Sequence, residues 1–216
     1  MKRLKLPPRL FITGTGTGIG KTMMAAILMA GTRGLYWKPI QSGLDEMTDT
    51  EWIRDATGLP QHHFWPETYR LTQPLSPHAA ARIDGIAIDL AAMTLPDPAP
   101  SGHLIVEGAG GIMVPLNDTA FMLDLIARLN LPTLVVASSQ LGTINHTLLT
   151  LDQLKRHGIE ITGVVLNGPQ HDSNRHAIEY YGKTKVVAQI EPLAQVDVAA
   201  LSRIFDANFT TGLPAA

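Results

Sequence analysis

One stretch constrains this chain more than any other. Gly14-Thr15-Gly16-Thr17-Gly18-Ile19-Gly20-Lys21-Thr22 lies between a short apolar run at 9–13 (RLFIT) and an almost wholly apolar helical pattern at 21–30. Glycines let a backbone turn with positive φ and come close to a ligand. Amides turned inward at the start of a helix form an anion site. In such a loop Lys21 reaches the β- and γ-phosphates of a nucleotide and the Thr22 hydroxyl holds Mg²⁺. The common phosphate loop is one residue shorter, and its first glycine would fall on Thr15, so this is an enlarged variant. A dinucleotide fingerprint fails, because Gly16-x-Gly18 would need a glycine where Lys21 stands.

The rest of the chain repeats the same alternation. Runs at 9–13, 35–38, 103–107, 133–137, 162–167 and 186–190 are short, rich in Val, Ile and Leu, and poorly alternating. That pattern suits strands buried on both faces of a parallel sheet. Helices are expected at 21–30, 121–129 and 146–157, the last stopped by Gly158. The expected fold class is α/β: an open, mostly parallel sheet flanked by helices, in a single phosphate-loop domain over residues 1–216. Two stretches resist this reading. Residues 59–77, with Pro60, Pro66, Pro74 and Pro77, read as a long irregular loop, and 96–102 (PDPAPSG) as a proline-rich connection.

Composition narrows the function classes. With 45% hydrophobic and 17% charged residues, the chain has the apolar surface that disordered chains lack. A net charge of −2 supplies no global field for nucleic acid or anionic lipid, so neither is expected as a partner. The absence of cysteine excludes disulfides, thiolate metal sites and a Cys nucleophile. Pro7 and Pro8 stand where a signal peptide needs an apolar core, and no apolar run spans a membrane. The expected location is the cytoplasm. The histidines lack zinc-type spacing, and Ser138-Ser139 lacks a nucleophile-elbow frame. Met23, Met24 and Met29 read as core.

Ligands of open α/β sheets bind beyond the carboxyl ends of the strands. Lys38 ends the second expected strand; a lone lysine there is either solvated or aimed at an anion. Glu107 ends the third, followed by Gly108, Ala109, Gly110 and Gly111, whose small side chains free backbone amides to face a ligand. Opposite a phosphate loop, Glu107 can hold Mg²⁺ directly or through water; the alternative is a capping or solvated acid. Asn167 ends the fifth, before Gly168-Pro169, and reads equally as an adenine-reading amide or as turn chemistry. Asp49, in Thr48-Asp49-Thr50-Glu51, is a second metal carboxylate or a helix cap, and alone the cap is the simpler reading.

Together these segments resemble the dethiobiotin synthetases. The matching pieces are the loop at 14–22 (GTGTGIGKT), 37–43 (WKPIQSG), Ser76-Pro77-His78, 106–111 (VEGAGG), 115–118 (PLND) and 141–146 (LGTINH). The resemblance implies a Mg²⁺- and ATP-dependent ligase that closes the ureido ring of dethiobiotin from 7,8-diaminononanoate and CO₂. It passes through a carbamate and a carbamic-phosphoric mixed anhydride. It further implies that Lys21 and Lys38 are catalytic. ATP would be bound by Gly18, Ile19, Gly20, Lys21, Thr22, Asp49, Glu107, Gly108, Ala109, Gly110, Asn167 and Gly168, and Mg²⁺ by Thr22, Asp49 and Glu107. The diamine would meet Ser42 and Gly110, together with Gly142, Thr143, Ile144 and Asn145 of a neighbouring copy, which makes a homodimer. Some relatives carry acids where this chain has Gly16 and Gly18. Asp45 and Asp55 compete with Asp49 in the alignment, and the segment at 188–192 (AQIEP) departs from the usual Gly-x-Ile-Pro. A partitioning-type ATPase switch is disfavoured, because 13–17 lacks the second signature lysine. A cobyrinate-type amide ligase would need a glutaminase partner.

Overall fold

The protein is described by a computed structural model over residues 3–96 and 102–211. The chain runs from β1 (Leu4–Lys5) and β2 (Arg9–Gly14) into α1 (Lys21–Thr32), then β3 (Leu35–Trp37), β4 (Ile40–Ser42) and α2 (Asp49–Thr57). β5 (Phe64–Trp65), β6 (Tyr69–Leu71) and α3 (Pro77–Asp84) lead to the long β7 (Leu104–Gly111). The second half holds α4 (Met122–Leu129), β8 (Thr133–Ser138), α5 (Thr143–Arg156), β9 (Ile161–Asn167), α6 (Asp172–Gly182), β10 (Val186–Ile190), α7 (Val198–Asn208) and β11 (Phe209–Thr210).

Seven strands form one sheet in the order β10-β9-β8-β2-β7-β3-β5, and every neighbouring pair is parallel. The fold is therefore the α/β class that the apolar runs predict. β2 lies at the centre, with Leu10 beside Ile105 of β7 and Thr13 beside Val135 of β8. The chain leaves β2 toward β3 on one side, and β8, β9 and β10 lie on the other. That is the switch point beyond which open sheets bind ligands, and the glycine-rich loop begins there.

The sheet is buried on both faces, which explains why its strands show no polar alternation. Leu10, Ile12, Tyr36, Ile105, Leu134 and Val165 face α1 and α7, against Met24, Ile27, Leu28, Leu201 and Phe205. Phe11, Trp37, Val106, Val135 and Leu166 face the opposite layer, against Leu125, Ile126, Leu151 and Ile178. Each such side chain contributes about 1.5–3 kcal/mol on burial. Gly158, at φ 67, closes α5 as expected, with its amide bonded to the Lys155 carbonyl. No helix among the described residues is long and apolar enough to cross a membrane.

Two expectations are corrected. Residues 59–77 are not one irregular loop. They contain a 3₁₀ turn (Gln61–His63), the edge strand β5, and β6, which pairs with β4 to continue parallel pairing beyond Pro39. Two- and three-residue strands are too short to show periodicity, and the prolines lie outside them, with Pro77 opening α3. Glu107 does not end its strand either. β7 continues through Gly111, which pairs with Gly14. Most of the connection read at 96–102 lies outside the described residues.

His103, just before β7, carries a pH expectation. It is 1% exposed, and burial holds its pKa below 6.5 despite a hydrogen bond with the Pro7 backbone. Its neutral form is thus favoured by folding. This contribution is complete above the unfolded value of about 6.5 and is lost as pH falls through the lower folded value. Denaturant unfolding from pH 8 to pH 5 should lose stability over that range, with a shallower slope in His103→Gln.

Candidate active site

The loop is held from both ends. The Thr15 amide bonds the Val136 carbonyl of β8 at 3.0 Å, and the Asn167 side chain donates Nδ2 to the Ile19 carbonyl at 3.0 Å. Gly20, at φ 97, caps α1 without any side-chain bond, so no cap side chain occupies the first amides of the helix. A Cβ on Gly20 would lie 2.2 Å from Asn167 Nδ2, so only glycine lets the tie form. Lys21 is 7% exposed and donates Nζ to the Gly16 carbonyl at 2.8 Å, folded over its own loop. Burial pulls its pKa down to about 8, with Lys38 pushing the same way and Glu107 and Asp49 opposing.

Beyond the loop, four elements, α1, β3, α2 and β7, bring five polar side chains together. Thr22 Oγ1 donates toward Asp49 Oδ1 at 2.8 Å and Glu107 Oε1 at 3.0 Å. Lys38, immediately after β3, forms an ion pair with Asp49 and another with Glu107 Oε1 at 3.3 Å. Burial opposes charging Lys38, but the Glu107 and Asp49 carboxylates outweigh it and hold its pKa above the usual lysine value. Asp49 shows the converse: burial raises its pKa, yet Lys38 and the Thr22 hydroxyl bring it below the usual carboxylate value. Tyr36 completes the group, donating its hydroxyl to Glu107 Oε2 at 3.0 Å. Burial, then the Glu107 charge, keeps that phenol protonated well above its usual range.

The two readings of Asp49 separate here. Thr48 caps α2, in a capping box with Glu51: the Glu51 amide bonds Thr48 Oγ1 at 3.3 Å, and the Thr48 amide bonds Glu51 Oε2 at 2.8 Å. Asp49 is left free to turn toward Thr22 and Lys38. Asp45 is exposed, and Asp55 is exposed beside Arg54.

Two cavities meet at the loop and share Thr17, Gly18 and Gly20. One, of about 580 Å³, is lined by the charged group, Gln41, Ser42, Ser76, Ala109 and Gly110. The other, of about 610 Å³, is lined by Ile19, Met23, Ser138, Asn167, Gly168 and the turn from Glu191 to Leu193. Met23 is thus a lining residue as well as a neighbour of the core. Gly108 lines neither cavity; it sits within β7 under Phe11, where a Cβ would come 2.9 Å from the ring. Gly142, Thr143, Ile144 and Asn145 open α5 and also line neither. Tyr36 was missed in the sequence, where it reads as one more apolar strand residue. The available signal was its spacing: Tyr36 and Lys38 are two apart and share a face.

A protein-family model described as an AAA domain matches residues 8–200. The ATP-dependent dethiobiotin synthetase BioD of Paramagnetospirillum magneticum is 48% identical over 200 residues, covering 93% of this chain and 96% of that protein. The chain belongs to the dethiobiotin synthetase family. The synthetase BioD of Rhodopseudomonas palustris strain BisB18 is 42% identical over 204 residues, covering 94% of this chain and 97% of its own. Among solved structures, the MinD cell division protein of Aquifex aeolicus aligns with TM-score 0.49 and 14% identity, over 90% of this chain and 86% of that one. In this synthetase-family chain the phosphate loop, both carboxylates and both lysines converge on one cleft.

Proposed function

We propose that the protein is an ATP-dependent ligase of biotin synthesis, a single-domain dethiobiotin synthetase acting on 7,8-diaminononanoate and CO₂. The observation that carries this reading is the convergence of Lys21, Thr22, Lys38, Asp49 and Glu107 beside the phosphate loop, in a chain of this family. One amine of the diamine adds to CO₂ and gives up a proton, forming a carbamate. A carbamate oxygen attacks the γ-phosphorus, and the bond from that phosphorus to the bridging oxygen of ADP breaks. The second amine attacks the carbonyl carbon of the mixed anhydride, releases phosphate and loses a proton as the ring closes. The chain supplies positioning and charge neutralisation rather than covalent chemistry.

Lys21 would leave the Gly16 carbonyl for the γ-phosphate, and Lys38 would face the carbamate and the transferring phosphoryl group. The nucleoside would occupy the cavity of Asn167 and Gly168, with Gly18, Ile19, Gly20 and the loop amides on the phosphates. The diamine would lie along Ser42 and Gly110; Ser42 Oγ is buried without a partner among the described residues, which suits a ligand amine. Thr22, Asp49 and Glu107 present hard oxygens to one point, the donor set that Mg²⁺ takes, and these three would hold it. When bound, Mg²⁺ neutralises phosphate charge and orients the nucleotide. Asp49→Asn should raise the Mg²⁺ needed for half-maximal rate by roughly tenfold. Asp45→Asn and Asp55→Asn should leave it unmoved, and a shift in either of those instead would transfer the role.

The N-terminus of α5 supports a homodimer in which Gly142, Thr143, Ile144 and Asn145 of one copy receive the substrate carboxylate held by the other. That helix has no side-chain cap bond; the Thr143 amide is bonded to the Gln140 carbonyl, which leaves the Ile144 and Asn145 amides for an anion. Nearby, Leu141 before α5, Leu149 on α5, and Tyr180 and Tyr181 on α6 leave apolar surface exposed. A monomer fully active at nanomolar concentration would rule out a shared site. The reading as a whole is tested by ADP release with and without diaminononanoate and bicarbonate. ATP turnover should require both, and equal turnover without the diamine would favour a switch ATPase.

A further inference from the structure

We infer that Tyr36 is a positioning residue: it holds one oxygen of Glu107 so that the other is presented to the phosphate loop. The two carboxylate oxygens are divided between different partners. Oε2 accepts the Tyr36 hydroxyl at 3.0 Å, while Oε1 faces Thr22 Oγ1 at 3.0 Å and Lys38 Nζ at 3.3 Å. The Glu107 side chain has no solvent exposure, so its rotamer is set by these partners rather than by water.

Tyr36 is itself fixed. It sits in β3 with Ile105 of β7 on one side and Phe64 of β5 on the other. Its ring meets the Phe64 ring edge-on, with centroids 6.1 Å apart. Lys38 follows two residues later, immediately after β3, so one extended segment supplies two donors to one carboxylate. The ring belongs to an apolar cluster with Met24, Ile27, Leu28 and Ile105, where phenylalanine would fill the same space. The hydroxyl therefore adds the bond to Glu107 and little to packing.

This inference rests on the reading of Glu107 as a metal carboxylate, and the test separates the two. Mg²⁺ is titrated into the full-length protein with ADP, and formation of the ternary complex is followed by calorimetry in wild type, Tyr36→Phe, Glu107→Gln and the double variant. The apparent Mg²⁺ constant should weaken roughly tenfold in Tyr36→Phe, with ADP affinity at saturating Mg²⁺ within about twofold of wild type. In the Glu107→Gln background the same substitution should add nothing, because the carboxylate it orients is gone. A Tyr36→Phe protein that melts lower but keeps the wild-type Mg²⁺ constant, or a shift of equal size with and without Glu107, overturns the role of Tyr36. A Glu107→Gln protein with an unchanged Mg²⁺ constant overturns the metal reading and the role of Tyr36 with it.

Discussion

Lys38→Met is expected to lower turnover by about 10²–10³-fold while leaving ATP affinity within a few-fold of wild type. Lys38 is 4% exposed and paired with both Asp49 and Glu107, so it is a preorganised buried cation rather than a solvated one. In the proposed reaction the charge facing Lys38 would develop as the phosphoryl group moves, so its loss should appear in kcat more than in binding. Methionine keeps much of the volume but leaves two carboxylates facing each other. Removing one partner of a buried pair costs about 3–5 kcal/mol, less where a carboxylate takes up a proton. Melting should therefore be measured with the kinetics. Lys21→Ala should behave differently, weakening ATP binding as well as turnover. A Lys38→Met enzyme that folds and turns over near the wild-type rate would remove Lys38 from the mechanism.

Gly20→Ala should be the most damaging change within the loop. The residue sits at φ 97, a conformation that costs an L-residue about 1–2 kcal/mol. The new methyl would also lie 2.2 Å from Asn167 Nδ2 and 2.9 Å from its Cγ, so the bond from Asn167 to the Ile19 carbonyl must break. Freed at that point, the loop amides shift, and a displacement of about 1 Å at a preorganised site can cost on the order of 10²-fold. Nucleotide affinity should fall by about that factor. Gly16→Ala is the control: nothing lies within 4 Å of its Cβ position and its φ is not in the left-handed region. Gly18→Ala should fall between, since it has open space but φ 72. Equal affinities across the three would show that the loop is not held where the Asn167 contact puts it.

Much of this architecture is legible in the sequence because doubly buried strands write themselves as short apolar runs. The runs at 9–13, 133–137 and 186–190 correspond to β2, β8 and β10, and Lys21-Thr22 stands at the start of α1 as its loop requires. Edge and accessory pieces are less legible. β5 is two residues long, β4 and β6 are three each, and α6 has only Ile178 and Gly182 fully buried, so it offers little apolar stripe. At the site, residue type and strand-end position point to Lys38, and residue type beside a run of small residues points to Glu107, although Glu107 lies within β7 and not at its end. The choice for Asp49 required knowing that Thr48 and Glu51 complete the cap between themselves. Tyr36 was hidden because a buried tyrosine and a buried phenylalanine look alike until the partner of the hydroxyl is known.

The central place of β2 also governs the order in which this chain can assemble. Its hydrogen-bonding edges are taken by β7 and β8, which begin at residues 104 and 133. A ribosome must therefore release about half the chain before β2 has its first neighbour, and more before it has both. Until then β2 lacks both strand neighbours, and the apolar α1 has only nearby pieces such as β3 and α2 to pack against. Long-range parallel pairing of this kind slows folding and leaves intermediates open to aggregation. Asn167, whose amide ties down Ile19, is released later still. On the proposed reading nucleotide would be a late ligand of the growing chain, and chains truncated before β9 should need chaperone protection rather than ATP to stay in solution.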